Sequence, residues 1–187
     1  MQKYNIKELS TEEFSVLWDE YRFKVFDDIQ IFSIMNELCE DELAKVNQLR
    51  SNMGQPIRIN LGVYHGDEFI GWSWGFQESH LKFYMCNSAI LPKYRRRGLY
   101  TMLVQKIIER AESYGFQEIY GRHAATNNGI IIPKLKLGFL ITGIEISDAF
   151  GSLVHLSYFP KKIRKKMLDY RSGLIKPDDE IKRILKL

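Results

Sequence analysis

Hydrophobic and polar residues recur with a helical period near the start of the chain. Ser10 and Glu13 form a capping-box pattern, which predicts that a helix begins there. The apolar residues that follow at helical spacing are Phe14, Leu17, Trp18, Tyr21 and Val25. A second helix is predicted over residues 36–50, with four apolar residues on one side. These are Cys39, Leu43, Val46 and Leu49. The turn residues 52–56 would end it.

A strand-like period of two replaces the helical period in the middle of the chain. Alternating apolar residues predict a half-buried strand, and they are Ile57, Ile59, Leu61 and Val63. A turn at residues 65–68 leads to a partner strand over residues 69–76. In the next strand, the apolar positions change phase between Met85 and Ile90. One extra residue near Cys86 would restore the alternation, so we predict a β-bulge there.

The second half of the chain alternates between helices and strands. A stripe at i, i+4 spacing predicts a helix that Gly115 ends, and its members are Leu99, Leu103, Ile107 and Ala111. We predict a strand over residues 118–123, and then a helix over residues 127–137 that Pro133 bends. Two further strands over residues 139–146 and 153–159 flank a turn.

The C-terminal segment is basic and also has helical periodicity. The cationic run over residues 161–166 could indicate a surface that binds nucleic acid or membrane, but Ile163, Met167 and Tyr170 recur at helical spacing. We therefore predict a docked helix with a solvated basic face. Asp178 would cap a last short helix.

The order of these elements predicts one domain over residues 1–187, with a helical extension from about residue 161. Five or more strands mixed with four or five helices indicate an α/β or α+β fold. Hydrophobic residues make up 45% and charged residues 27% of the 187 residues, as in ordinary globular proteins. The net charge of +4 gives little support to a nucleic-acid partner. The two cysteines form no metal or disulfide pattern, and no apolar run is long enough to cross a membrane, so we expect a cytoplasmic protein.

The stretch from Ile90 to Thr101 carries the clearest chemical signal. An apolar run ends at Pro92, and three arginines precede a glycine and an amphipathic helix. These residues are Arg95, Arg96, Arg97 and Gly98, followed by Leu99, Tyr100 and Thr101. Amide groups that open a helix lack partners within it and can bind an anion, while arginines supply positive charge. The alternative is a solvated charge run. The glycine and the helix that follows it favour a pyrophosphate cradle.

The order of the motifs resembles the GNAT N-acetyltransferase superfamily. That family has Arg or Gln, two residues, Gly, one residue, and then Gly or Ala; here Arg95, Gly98 and Tyr100 occupy the three positions. Tyr100 departs from the small residue of the pattern. A downstream Asn127 and the sequence Leu137-Gly138-Phe139 match a second family signature. The resemblance covers residues 57–159 and implies a GNAT-like fold, in which helices flank a mostly antiparallel mixed sheet of six to seven strands.

The resemblance implies that acetyl-CoA is the acetyl donor and that no metal takes part. The amides of Arg96 to Thr101 would bind the pyrophosphate, and the arginine side chains would neutralise it. The strand end at Ile90 and Leu91 would pair with the pantetheine arm. The strand that contains these residues would diverge from the strand over residues 118–123, leaving a gap for the thioester. An amide at the bulge could then polarise the thioester oxygen.

Three side chains near the expected gap are candidates for catalysis. His123 ends the strand that borders the gap and could act as a general base, or it could be a packed histidine. Ser88 and its neighbour Asn87 could hold a water or the acceptor, although the simpler interpretation is that they satisfy backbone groups of the bulge. Lys134 stands where many relatives have a tyrosine; it could donate a proton or contact the cofactor, or it could be an ordinary solvated lysine. Asn127 could contact the cofactor, cap a helix, or both.

The sequence therefore predicts acetyl transfer to an amine of a small molecule or peptide in a ternary complex. The alternative is a catalytically weak acyl-CoA-binding module, because the usual tyrosine is missing. The acceptor site would include residues 27–35, where Asp27 and Asp28 could attract a cationic amine. Trp72 and Trp74 are expected in the core, with an aromatic wall for the acceptor as the alternative. A homodimer could form through a sheet edge near residues 153–159.

Overall fold

The computed structural model describes residues 4–26 and 32–187, and its centre is one seven-stranded sheet in the order β1-β2-β3-β4-β5-β7-β6. The strands are β1 (Tyr4–Glu8), β2 (Arg58–His65), β3 (Glu68–Gln77), β4 (Lys82–Ile90), β5 (Glu118–Ala124), β6 (Leu140–Ser147) and β7 (Gly151–Tyr158). All neighbouring pairs are antiparallel except β4 and β5, which are parallel. The prediction of a mixed, mostly antiparallel sheet is confirmed.

The helices connect and flank these strands. They are α1 (Thr11–Tyr21), α2 (Glu40–Ser51), α3 (Leu99–Ser113), α4 (Asn128–Lys136), α5 (Lys162–Arg171) and α6 (Asp179–Leu185). The capping box at Ser10 and Glu13 is present, and the carboxylate of Asp178 accepts a hydrogen bond from the Ile181 amide, as predicted. Among the described residues, no helix has the length and apolar character needed to span a membrane.

The core lies on both faces of the sheet. Trp18 of α1 contacts the rings of Trp72 and Trp74, so we call the face to which these rings point the α1 face. The buried side of α3 packs against the opposite face, here the α3 face. Its buried members are Leu99, Leu103, Val104, Ile107, Ile108 and Ala111, which extend the predicted stripe. The periodicity of the sequence is therefore the periodicity of burial.

Three predictions about elements differ from the structure. The short strand β1 has no counterpart in the prediction, because five residues give too little alternation to detect. The second helix begins at Glu40, and its expected apolar residue Leu49 is 67% exposed, so this helix does not bury that side. The strand over residues 153–159 is not a sheet edge, because β7 lies between β5 and β6. The proposed dimer edge there is wrong; the edge strands of the sheet are β1 and β6.

Strands β4 and β5 diverge in the middle of the sheet. Their pairing extends only from Lys82–Glu118 to Tyr84–Tyr120, after which the two strands separate. The bulge is where the sequence predicts it: Trp74 pairs with Asn87 and Gly75 with Met85, which leaves Cys86 as the extra residue. The bulge therefore stands beside the point at which the two strands part. This combination opens a gap in an otherwise continuous sheet.

Candidate active site

The loop between β4 and α3 is a cradle of backbone amides. Arg96 and Gly98 both have left-handed backbone conformations, with φ of 61° and 77°. Gly98 is the residue before the first turn of α3, and no atom lies within 4 Å of the position that a Cβ there would take. Glycine is therefore required at position 98 by the backbone conformation and not by lack of space. The amides of the first helical turn have no intrahelical acceptors and can bind an anion.

The three arginine side chains of this loop have different surroundings. Arg95 donates from Nε to the Ile90 carbonyl oxygen at 3.0 Å, which ties the loop to the end of β4. Arg97 donates to the hydroxyl of Tyr4 at 2.9 Å and does not line the cavity beside the loop, unlike Arg95 and Arg96. Of the three arginines expected to neutralise the pyrophosphate, Arg95 and Arg96 line the cavity and Arg97 is directed to Tyr4.

A cavity of about 590 Å³ extends from this loop along the open end of β4. Leu99, Tyr100 and Thr101 of α3 line it, as do Ile90 and Asn127. Leu91 does not; it is 7% exposed and packs in the core. Asn127 precedes α4 but makes no capping hydrogen bond with its side chain, so the structure gives no support to its alternative role as a cap.

A second cavity of about 160 Å³ continues through the gap between β4 and β5. The two cavities share five lining residues, namely Phe26, Ser88, Tyr100, Asn127 and Ile130. The second cavity also touches His123 and Lys134 on the α3 face, and Cys86 and Arg122 towards the α1 face. It therefore crosses the sheet. The ring of Tyr100 lies where the cavities meet, and burial raises the pKa of its hydroxyl.

Lys134 is buried beside this gap. The side chain is 1% exposed, its ammonium lies 4.8 Å from the centre of the Phe139 ring, and Nζ is 3.7 Å from the Met85 sulfur. The interpretation as an ordinary solvated lysine is therefore wrong. No carboxylate of the described residues forms a salt bridge with it, and burial lowers the pKa of Lys134 to about 7.

His123 lies close to Lys134 on the same side of the gap. Its Nε2 is buried and has no hydrogen-bond partner within residues 4–26 and 32–187. Burial, and secondarily the charge of Lys134, lowers the pKa of His123 to about 3. The imidazole is therefore neutral near pH 7, and it can accept a hydrogen bond but holds a proton poorly.

Gly121 makes this arrangement possible. A Cβ at this position would lie 3.0 Å from Lys134 Nζ, 3.2 Å from His123 Nε2 and 3.2 Å from the Met85 carbonyl oxygen. The first two atoms end side chains, but the third belongs to the backbone of β4. A Cβ here would be tighter than ordinary contacts, so the lysine, the histidine and the backbone of β4 would each have to move by a few tenths of an ångström.

We expect Gly121→Ala to lower the free energy of unfolding by about 1–3 kcal/mol, because the added methyl group overpacks the gap. Gly143→Ala is the matched control, since its Cβ would meet atoms no nearer than 3.7 Å. Thermal unfolding of both variants tests the crowding. If the two variants unfold at the same temperature, Gly121 does not have the role described above.

Ser88 and Asn87 form hydrogen bonds with side chains of β3. Ser88 Oγ lies 2.6 Å from Ser73 Oγ, and Asn87 Oδ1 accepts a hydrogen bond from Trp72 Nε1 at 2.8 Å. The simpler interpretation, that these two side chains satisfy backbone groups of the bulge, is therefore wrong. Ser88 still lines both cavities.

Arg122, on the far side of the gap, is not among the residues predicted from the sequence. Arg122 precedes His123 in the chain and also lines the smaller cavity, and because side chains alternate along β5 it faces the opposite side of the sheet from His123. Trp72 is fully buried as predicted, whereas Trp74 is only partly buried and belongs to an aromatic row on the α1 face. Asp27 and Asp28 lie outside the described residues. Within the described residues, no group of three or more metal-ligating side chains occurs.

Comparisons with known proteins identify the family. The model of the acetyltransferase (GNAT) family matches residues 4–139. The chain is similar to the ribosomal-protein-S18-alanine N-acetyltransferase from Escherichia coli, with 18% identity, a TM-score of 0.60, and coverage of 84% of this chain and 94% of that one. No curated protein sequence matches the chain significantly.

Two other similar structures contain acetyl-CoA. One is a putative acetyltransferase from Salmonella typhimurium, with 13% identity, a TM-score of 0.61, and coverage of 85% of this chain and 95% of that one. The other is a GNAT family acetyltransferase from Elizabethkingia anophelis, with 12% identity, a TM-score of 0.57, and coverage of 85% and 99%. At this identity, the similarities show the fold, and the family match spans most of the sequence. The chain belongs to the GNAT family and is an acetyltransferase.

Proposed function

We propose that the protein transfers an acetyl group from acetyl-CoA directly to an amine of a small molecule or peptide. The observation that carries the proposal is the continuity of the two cavities, which join the amide cradle to the gap and cross the sheet there. A donor could thus occupy the α3 face while an acceptor approaches from the α1 face. The two structures with bound acetyl-CoA support this donor.

The cradle residues fit the pyrophosphate of coenzyme A. The amides of Leu99, Tyr100 and Thr101 would donate to its oxygens, and Arg95 and Arg96 would add positive charge. The pantetheine arm would lie along the end of β4 beside Ile90. Asn127 lines the same cavity and would contact the arm.

The proton transfers would fall to Lys134, with His123 as its neighbour. The amine nitrogen forms a bond to the thioester carbon, the C–S bond breaks, and the amine proton must leave. A lysine with a pKa of about 7 can take this proton and return one to the departing thiolate. His123, the expected base, holds a proton poorly, so we propose that its Nε2 accepts a hydrogen bond from the incoming amine.

The state of Cys86 supports direct transfer over an acyl-cysteine intermediate. This thiol lies at the bulge and lines the smaller cavity. Burial raises its pKa to about 11, so it stays protonated near pH 7 and is a weak nucleophile. Ser88, whose hydroxyl lies against Ser73, would help to hold the acceptor or the thioester at the gap.

The proposal is tested by mixing the protein and acetyl-CoA with each member of a broad panel of amines and measuring the free thiol that is released. We expect release with at least one class of amine.

We also expect His123→Ala to lower kcat about 10- to 100-fold without changing the affinity for acetyl-CoA, because it removes an acceptor at the reacting nitrogen only. His80→Ala is the control, since His80 is exposed in a turn.

Two results would contradict parts of this proposal. Binding of acetyl-CoA without thiol release from any amine would indicate an acyl-CoA-binding module. An unchanged kcat in His123→Ala would remove His123 from the reaction.

A further inference from the structure

The α1 face of the sheet presents a row of aromatic rings at the gap. The rings of Trp74 and Phe76 lie 6.3 Å apart, those of Phe76 and Tyr84 lie 5.5 Å apart, and those of Tyr84 and Tyr120 lie 5.1 Å apart. Trp74, Phe76 and Tyr84 are only partly buried. The row crosses β3, β4 and β5 in that order, so it forms an apolar floor on the side opposite to the amide cradle.

Two arginines stand over this floor. The Arg122 guanidinium lies 4.9 Å from the centre of the Tyr84 ring, and that of Arg58 lies 5.2 Å from the centre of the Trp74 ring. Arg58 comes from β2 and Arg122 from β5, so the bulge of β4 lies between them in the sheet. The positive charges of both arginines act on the Cys86 thiol and lower its pKa against the larger effect of burial. Both charges are therefore near the opening of the gap.

The Arg122 guanidinium has partners that hold it in place, but not all of its N–H groups form hydrogen bonds. Its Nε donates to the Tyr84 hydroxyl at 3.3 Å, and its Nη1 lies 3.3 Å and 3.4 Å from the two carboxylate oxygens of Glu145. These distances exceed the 2.7–2.9 Å of strong charge-assisted hydrogen bonds. Glu145 makes its short contact with His155, at 2.7 Å. Among the described residues, Nη2 of Arg122 has no hydrogen-bond partner and Arg58 forms no salt bridge.

The two described carboxylates beside the floor, Glu145 and Glu78, already have hydrogen-bond partners. Glu145 is shared between His155 and Arg122, and Glu78 accepts a hydrogen bond from the Tyr120 hydroxyl. Within residues 4–26 and 32–187, no carboxylate forms a salt bridge with Arg58. The positive charges of Arg58 and Arg122 would repel a cationic acceptor, whereas they would attract an acceptor that carries an anion to the opening of the gap.

We propose that the acceptor is an amine that also carries a carboxylate and an apolar body, as an aromatic or branched amino acid does. Arg122, with Arg58, binds the carboxylate, the apolar body lies on the Trp74–Tyr84 floor, and the amine enters the gap. This assignment rests on the proposed acetyl transfer and names its substrate class. A carboxylate suits Arg122 because Nη2 of its guanidinium has no partner among the described residues and the group lines the smaller cavity.

The experiment compares acceptors that differ only in the carboxylate. Phenylalanine, phenylalaninamide and phenethylamine share the ring, and the enzyme is saturated with acetyl-CoA while thiol release is measured. We expect KM for phenylalanine to be at least about tenfold lower than for the other two, since a hydrogen bond to a charged group has about that effect. Leucine with its amide provides a second pair.

Variants of the two arginines identify the binding group. We expect Arg122→Gln to raise KM for phenylalanine about tenfold or more while leaving KM for phenethylamine and the affinity for acetyl-CoA unchanged. Arg58→Gln raises KM for phenylalanine as well, but by a smaller factor. Arg171→Gln is the matched control, because Arg171 stands over the Tyr170 ring at 5.5 Å in α5. A uniform loss with all acceptors in Arg122→Gln would indicate a structural role and overturn the assignment.

Binding of the product separates this proposal from the proposed function. N-acetylphenylalanine and its amide are titrated calorimetrically into the protein. If the natural protein binds the acid more tightly than the amide, and Arg122→Gln abolishes this preference, the carboxylate site is supported even if turnover is slow. Equal use of acid and amide, together with equal binding of the two products, overturns the carboxylate site while the acetyltransferase stands. Thiol release from no amine at all contradicts the proposed function instead.

Discussion

Replacing Lys134 with Met is expected to make the protein more stable and less active. Burial lowers the pKa of Lys134 from 10.5 to about 7, so at pH 7 and below the folded protein carries the cost of a buried ammonium group. This cost is roughly 3–5 kcal/mol by linkage. Methionine has a similar length and would pack beside Met85 and Phe139 without the cost of a buried charge. We expect the melting temperature at pH 7 to rise by roughly 10 °C.

The pH dependence of this gain has a definite sign. Between about pH 7 and 10.5, the unfolded lysine is protonated and the folded one is neutral, so the stability of the natural protein rises with pH. The advantage of Lys134→Met is therefore largest at pH 7 and below, and it disappears near pH 10.5. Denaturant unfolding of both proteins at several pH values measures it. Lys136→Met, an exposed position of the same helix, is the control and should change stability by less than about 0.5 kcal/mol.

The same substitution is expected to lower kcat about 100- to 10,000-fold, the usual contribution of a general acid or base. The affinity for acetyl-CoA should remain. A destabilised Lys134→Met protein would mean that the ammonium has a favourable partner in the folded state. A stabilised variant with full activity would mean that the buried lysine takes no part in proton transfer.

Gly98→Asp is expected to abolish the binding of acetyl-CoA at concentrations that stabilise the natural protein. The φ of 77° is unfavourable for any residue with a side chain, by roughly 1–2 kcal/mol. The added carboxylate would also stand in front of the helix-opening amides and repel the pyrophosphate. We expect the dissociation constant to rise at least about 100-fold, as measured by the thermal shift with acetyl-CoA.

Two further variants separate strain from charge. Gly98→Ala introduces the strain alone and should weaken binding less than Gly98→Asp does. Gly173→Asp has a similar φ of 74° with open space around it, in the C-terminal region, so it should lose stability but keep its full response to acetyl-CoA. An undiminished thermal shift in Gly98→Asp would remove the cradle from the donor site.

The sequence alone determined the elements that have strong local signals. The capping box at Ser10, the stripe of α3 and the bulge at Cys86 depend on residues that are neighbours along the chain, and all three are present. The family resemblance came from residues at fixed spacing around Gly98, and the family match confirms it. The short strand β1 was missed because its partner β2 lies about fifty residues away and supplies most of its stability.

The tertiary structure alone decided the environment of the candidate side chains. Lys134 has the same local sequence whether it is solvated or buried, and only the packing of α4 against Gly121 and Phe139 removes it from water. In the same way, only the divergence of β4 and β5 places His123 and Arg122 on opposite sides of one gap. Local pattern predicts helices, caps and hairpins because their hydrogen bonds join residues that are close along the chain. Burial, pKa and charge environment depend on atoms that the fold brings from distant parts of the chain.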